Sequence, residues 1–197
     1  MDTTDRPDTT ALDRADMARL VAGHDDALND LMERHATPLF HFLFRMLNNE
    51  DDANDLAQET FVRVFQHRAS FQPDAKFSTW FFTIAGNLAR NHYRWRSRHP
   101  SLSLEAPGEN TEQTIADVLP AAGASPSDAT AAEERAQAVR AAVDKLPPDQ
   151  REAIVLCEWQ DLPVAEAAAI LRTTVKTVES RLYRARNLLR EQLQRWL

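Results

Sequence analysis

The stretch 101–130, SLSLEAPGENTEQTIADVLPAAGASPSDAT, constrains this chain more than any other. It is rich in proline and acid and holds no aromatic ring and no base. A segment of that kind buries too little apolar surface to offset the entropy of ordering it, and it reads as a flexible linker. Each side must then build its own core, and 197 residues leave room for two small ones. The expected plan is a disordered, acid- and threonine-rich tail at 1–12, a first domain at 13–100 and a second at 131–197. Only four glycines occur and 43% of the residues are hydrophobic, which favours packed helices over strand-rich or Rossmann-type architectures. The expected fold class is all-α, two small helical domains, the C-terminal one a helix-turn-helix.

The net charge of −7 hides a pattern. Residues 1–60 carry −9 and 101–150 carry −6, whereas 61–100 carry +6 and 151–197 carry +2. Local potential, not net charge, meets a phosphate backbone, so two separate basic blocks are compatible with a nucleic-acid partner. The apolar runs fall far short of the ~18 residues of a membrane span, so no membrane insertion is expected. The polar, acidic N-terminus is unlike a secretory signal. Cys157 is alone, which excludes an internal disulfide and a multi-cysteine zinc site and fits a reduced, cytoplasmic setting. The six histidines form no i,i+4 pair and no Glu-x-x-His, and neither a Gly-rich phosphate loop nor a nucleophile elbow occurs. No cofactor, no metal and no enzymatic activity are expected.

Along the first domain the pattern predicts a short helix at 14–21 and a longer one from an Asp25 or Asp26 cap to Leu47, kinked or split by Pro38. A third helix from Ala53 to about Arg68, capped by Asp51 or Asp52, turns Ala53, Leu56, Ala57, Thr60, Phe61, Val64 and Phe65 inward. Asp55, Gln58, Glu59, Val62, Arg63 and Gln66 share its outward side, which reads alone as ordinary surface more readily than as a docking face. After the loop Phe71–Lys76 comes KFSTWFFTIAGNLARNHYRWRSR, a helix to about Arg98. Steps of three, four, four and seven put Phe77, Trp80, Ile84, Leu88 and Trp95 on one buried side. Phe81, Asn87, Arg90, Asn91, Arg94 and Arg98 are left for the wet side. Rings, amides and guanidiniums there suit single-stranded nucleic acid as well as they suit a solvated basic face.

In the second domain Ala132, Ala136, Val139, Val143 and Leu146 line one side of a helix stopped by Pro147–Pro148. Asp149 and Glu152 are spaced as a capping box for a helix to about Trp159, with Cys157 as a small core residue. Val164–Leu171, a short turn at Arg172–Thr174 and Val175–Leu193 then describe a helix-turn-helix. Val178, Leu182, Ala185 and Leu189 form the buried stripe of its last helix. Such a helix fits a DNA major groove, ~12 Å wide. Thr174, Glu179, Ser180 and Tyr183 are candidate base readers, and Arg181 and Arg184 candidates for phosphate or guanine. A plain αα-hairpin is the competing reading.

Several blocks, in order, resolve the open choices. DANDLAQETFVRVF, FQPDAKFSTW and FFTIAGNLARNHYR, then LPPDQREAIVL, AEAAAIL and VKTVESRLYRARNLL, resemble the extracytoplasmic-function (ECF) sigma factors, subunits that direct bacterial RNA polymerase to promoters. The resemblance covers about 14–98 and 131–193. It implies partners: core RNA polymerase, through its clamp helices and flap, promoter DNA, and an anti-sigma factor. It implies polymerase docking by Asp55, Gln58, Glu59, Val62 and Arg63, reversing the plainer reading of that face. It implies contact with a melted −10 element by Phe71, Lys76, Trp80, Asn87, Asn91 and Arg94, with Phe71 stacking on a flipped base. It implies −35 recognition as duplex by Thr174, Lys176, Glu179, Ser180, Arg181, Tyr183 and Arg184. The chain departs from the family pattern at Gly86, where a larger residue is usual, at Asn91 for Asp, at Ala167 for Ile, and at Arg172 for a turn glycine.

Overall fold

The computed structural model describes residues 9–99 and 126–196, with side chains of the second segment from 132 onward. The expected tail and most of the expected linker lie outside the described residues. All regular structure among the described residues is helical.

Helix α1 (Thr10–Val21) starts earlier than its apolar pattern indicates and reaches α2 (Ala27–Leu47) through a turn in which Gly23 has φ +95°. Helix α2 is not split at Pro38; it runs through that residue unbroken. Asp26 stands at its start without capping it; its carboxylate accepts from Arg19 at 2.5 Å. Asn48, in the left-handed region at φ 51°, closes α2, and Asn49 then caps α3 (Glu50–Gln66) by accepting from the Asp52 amide at 2.8 Å. Asn49 thus takes the capping role expected of Asp51 or Asp52, because its extended backbone (φ −146°) places its side chain over the first free amides. The inward stripe of α3 lies as its periodicity indicates, with Ala53, Thr60, Phe61 and Val64 buried.

Helix α4 (Phe77–Arg98) corrects the expected stripe. Phe77 and Leu88 are buried as expected, but Phe81 is fully buried and Trp95 is 51% exposed. The buried face is Phe77, Phe81, Phe82, Ala85, Gly86, Leu88 and Ala89. Phe81 packs at ring-centroid distances of 5.1 Å from Phe77, 5.3 Å from Phe61 and 5.6 Å from Phe82, at the centre of an aromatic cluster. Trp95 stacks on His99 at 5.0 Å, on the exposed C-terminal end of the helix.

The second described segment opens with α5 (Pro126–Asp144), a helix that starts before the expected Ala131. Pro147 then opens α6 (Pro148–Ile154), with Pro148 in the first turn where a missing N–H costs nothing. The Asp149–Glu152 capping box does not form: Asp149 pairs with Arg181 at 3.2 Å and Glu152 with Arg90 of α4. Helix α6 widens into a π-type turn, Val155–Trp159, and is followed by α7 (Val164–Ile170) and α8 (Val175–Gln192). Between α7 and α8, Arg172 occupies the left-handed region at φ 50°. A non-glycine residue there costs on the order of 1–2 kcal/mol, so the turn keeps the geometry a glycine serves and carries strain instead. Thr174 caps α8, accepting from the Thr177 amide at 3.2 Å. Val178, Leu182 and Ala185 are buried beneath it.

The two halves do not keep separate cores. Buried residues from Met17 to Ala185 form one continuous cluster. Helix α4 packs on α7, and α2 packs on α5, α6 and the π-type turn.

Candidate nucleic-acid and protein interfaces

The outward face of α3 is built by helical spacing alone. Asp55, Gln58, Glu59, Val62 and Arg63 repeat at three- and four-residue steps opposite the buried Ala53–Val64 stripe, so they share one face. Asp55 and Gln58 are exposed, and Val62 is 46% exposed. Arg63 donates to Glu59 at 2.7 Å, an i,i+4 pair contributing a few tenths of a kcal/mol. That leaves a half-exposed apolar side chain in a frame of acid, amide and base.

On α4 and the loop before it, the candidate residues divide. Asn91 and Arg94 are exposed, and the Asn91 amide oxygen accepts from Arg94 at 2.9 Å. Trp80 and Asn87 are half-buried, and Asn87 accepts from Arg90 at 2.6 Å. Lys76 is exposed but bonded to Glu166 of α7. Phe71 does not offer a free ring: it is 8% exposed, edge-on to Trp80 at 5.4 Å and to Phe77 at 6.3 Å. Its apolar ring has aromatic neighbours within reach, and burial against them outweighs display to water. The loop instead exposes Gln72, Pro73 and Asp74.

Helix α8 presents a free face. Lys176, Glu179, Ser180, Tyr183 and Arg184 are exposed, Tyr183 at 69%. Arg184 donates to Ser180 at 3.3 Å, an exposed bond that leaves most of the guanidinium free. Thr174 is exposed too, with its hydroxyl engaged in the cap. Arg181 is the outlier: half-buried and turned back to Asp149.

The joint between the halves holds residues that periodicity alone does not single out. Glu152 of α6 is 3% exposed and bonded to Arg90. Burial pushes its carboxyl above the usual range, and Arg90 offsets only part of that. Arg151 is 6% exposed; its guanidinium donates to the Met46 carbonyl at 2.9 Å and also reaches the Asp144 carbonyl. Gln160 donates to the Pro38 carbonyl at 3.4 Å, and Arg45 lies 5.4 Å from the Trp159 ring centroid. A cavity of about 380 Å³ runs along this seam, between Tyr93 and Arg94 on one side and Asp149, Leu171 and Arg181 on the other. The one sequence signal for this joint is Gly86, a glycine in mid-helix. A Cβ there would stand 2.7 Å from the Glu152 Oε1.

Among the described residues no group of histidine, cysteine or carboxylate could hold a metal ion. Cys157 is half-buried, and burial raises its thiol above the usual value. No helix among them is long and apolar enough to cross a membrane.

Comparison with known proteins identifies the family. The family Sigma-70 region 2 matches residues 31–99, and Sigma-70, region 4 matches 136–189. The ECF RNA polymerase sigma factor SigW of Bacillus subtilis is 36% identical over 172 residues, covering 87% of this chain and 91% of SigW. Two solved structures share the fold at 28% identity. One is CnrH in complex with the cytosolic domain of CnrY, with a TM-score of 0.69 over 92% of this chain and 97% of that one. The other is the sigma factor RpoE in complex with the anti-sigma factor NepR from Bartonella quintana, with a TM-score of 0.66 over 84% and 96%. With region 2 in its first half, region 4 in its second and this likeness along nearly its whole length, the chain belongs to the ECF sigma factors, which are transcription initiation subunits and not enzymes.

Proposed function

We propose that this chain docks on core RNA polymerase through the α3 face, holds the −10 element as a melted strand on α4 and reads the −35 element as duplex with α8. The observation that carries the reading is the free face of α8. Its apolar side is spent on the core, while Lys176, Glu179, Ser180, Tyr183 and Arg184 stand exposed behind a capped N-terminus. A recognition helix needs such a division, with early residues at base edges and later cations at phosphates. Glu179 is suited to accept from a cytosine amino group and Arg184 to reach phosphate or guanine.

The −10 role falls on Trp80, Asn87, Asn91 and Arg94, with Lys76 at the head of the helix. Ring stacking contributes about 1–3 kcal/mol per base, against the ~1.4 kcal/mol that each opened duplex step costs. Phe71 can join only if its ring leaves its place beside Trp80. Val62, framed by Asp55, Gln58, Glu59 and Arg63, supplies the apolar centre of the polymerase contact. An anti-sigma partner is part of the same reading, since two structural relatives, CnrH and RpoE, were solved with CnrY and the anti-sigma factor NepR respectively. The polymerase carries the chemistry, and the chain itself makes and breaks no bond.

The test is run-off transcription. Core polymerase with this chain should produce a defined transcript from a promoter selected out of genomic fragments, and Val62→Glu should abolish it while leaving the fold intact. No transcript in the presence of the parent chain rejects the reading.

A further inference from the structure

We propose that the cavity lined by Met46, Tyr93, Arg94, Arg151 and Leu171 is a binding site for a small amphipathic monoanion: a flat apolar body bearing one carboxylate and one further acceptor oxygen. Such binding needs neither polymerase nor promoter, so it is independent of the roles proposed above for α3, α4 and α8.

Three observations carry it. The first is size and walls. At about 380 Å³ the cavity falls within the ~300–1,000 Å³ of small-molecule sites. Met46 of α2, Ala89 of α4, Pro148 of α6 and Leu171 at the end of α7 give it apolar walls. Tyr93 adds a ring that is 45% exposed and so has surface left to pack on a flat ligand. The second is a buried donor. Arg151 is 6% exposed and lines the cavity, and its two Nη groups donate to the Met46, Asp144 and Leu146 carbonyls. Its Nε–H is buried and meets no acceptor among the described residues. Buried polar groups are nearly always paired, and a ligand oxygen in the cavity would complete this one.

The third is an imbalance of charge. Arg90, Arg94, Arg151 and Arg181 line the cavity with only Asp149 and Glu152 to oppose them. Both acids are taken: Glu152 bonds to Arg90, and Asp149 pairs with Arg181 at 3.2 Å. Arg151 has Asp144 at 3.1 Å. Arg94 is left with neutral partners, donating to the Asn91 amide oxygen at 2.9 Å and to the Arg90 carbonyl at 3.3 Å. A planar guanidinium without a carboxylate, bordering an apolar space, suits the carboxylate of a ligand. A second negative charge would meet Asp149 and Glu152, which selects a monoanion over a nucleotide or a polyphosphate.

The test uses the free full chain and 6-methoxy-2-naphthoate, which has the flat body, the carboxylate and a second acceptor oxygen. Isothermal titration at neutral pH should show saturable binding. The methyl ester of the probe, which lacks the charge, should bind about tenfold more weakly, the worth of one charge-assisted hydrogen bond. Arg94→Gln should weaken the acid by about the same factor and leave the ester unchanged, a coupling that a purely structural role for Arg94 does not give. Leu171→Trp fills the cavity and should abolish binding while keeping the parent's helical circular dichroism. Arg94 is exposed, so its variant still decides the matter if Leu171→Trp does not fold. With 13C-labelled methionine methyl groups, the probe should shift the Met46 signal and leave that of Met32, about 21 Å back along α2, in place. Absence of saturable binding, equal affinity for acid and ester, or a shift at Met32 without one at Met46 overturns the site. Each of these results leaves the run-off signal, and with it the promoter reading, untouched.

Discussion

Asp13 shows how much one buried charge organises. It is 3% exposed, accepts from the Arg34 Nε at 3.0 Å and lies 2.8 Å from the His35 Nε2, tying α1 to α2. Burial works to raise its pKa, but His35 and then Arg34 outweigh burial and hold the carboxyl below the usual value. A lowered native value means that Asp13 stabilises the fold fully above the ordinary carboxylate range near ~3.9, and that this is lost as pH falls through the lowered value. Asp13→Asn should therefore lower unfolding free energy near neutral pH by about 1.5–3 kcal/mol. The gap between parent and variant in urea titrations should narrow on acidification below that range. A gap independent of pH would show that shape and not charge is what matters there. Nothing local marks an acid on a short polar helix as buried, so Asp13 is not legible in the sequence; its partners lie on the next helix.

At the scale of elements, periodicity located the helices better than it located their faces. The stripe of α3 was legible because only one set of apolar positions is available there. Helix α4 carries rings at so many positions that more than one stripe satisfies the helical period. Helices α2 and α3 settle the choice by taking Phe81 and Phe82 and not Trp95: Phe42 meets Phe82 at 5.2 Å and Phe61 meets Phe81 at 5.3 Å. The free face of α8 followed from its sequence, because Val178, Leu182 and Ala185 leave its cations only one side to occupy. A prediction belongs to that helix. Arg184→Ala should weaken promoter binding by the holoenzyme about equally for all −35 sequences and reduce the slope of log affinity against log salt by about 1. Glu179→Gln should instead change which base is preferred. Filter binding across a salt series, with a small set of −35 variants, checks both; an Arg184→Ala effect confined to one sequence would place that side chain at a base.

For the whole molecule, Arg151 ties one half to the other. It belongs to the second half, yet one of its donors is spent on the Met46 carbonyl in the first and another on the Asp144 carbonyl in its own. Removing it leaves the buried Met46 carbonyl without that donor, at about 1–3 kcal/mol. Scanning calorimetry of the parent should show one cooperative transition, because a single continuous cluster unfolds as a unit. Arg151→Met should lower the midpoint and separate the trace into two transitions, one per half. A variant that melts earlier but still in one step would mean that the halves are coupled elsewhere.

Read alone, the sequence shows that this chain is helical, places most of its helices to within a few residues, and sets a basic, ring-bearing helix and a helix-turn-helix on either side of a proline-rich stretch. Those properties are local: they depend on propensity, period and turn chemistry within a few residues. Packing between distant segments is what gives the two halves a shared core, turns Phe71 and Phe81 inward, and sends Glu152 and Asp149 to arginines instead of to their own helix start. Each of these is a choice between partners of comparable chemistry, and it depends on which groups distant in the chain are brought within a few ångströms. Gly86 joins the two levels: a local defect in a helix, explained by a carboxylate arriving from the other end of the molecule.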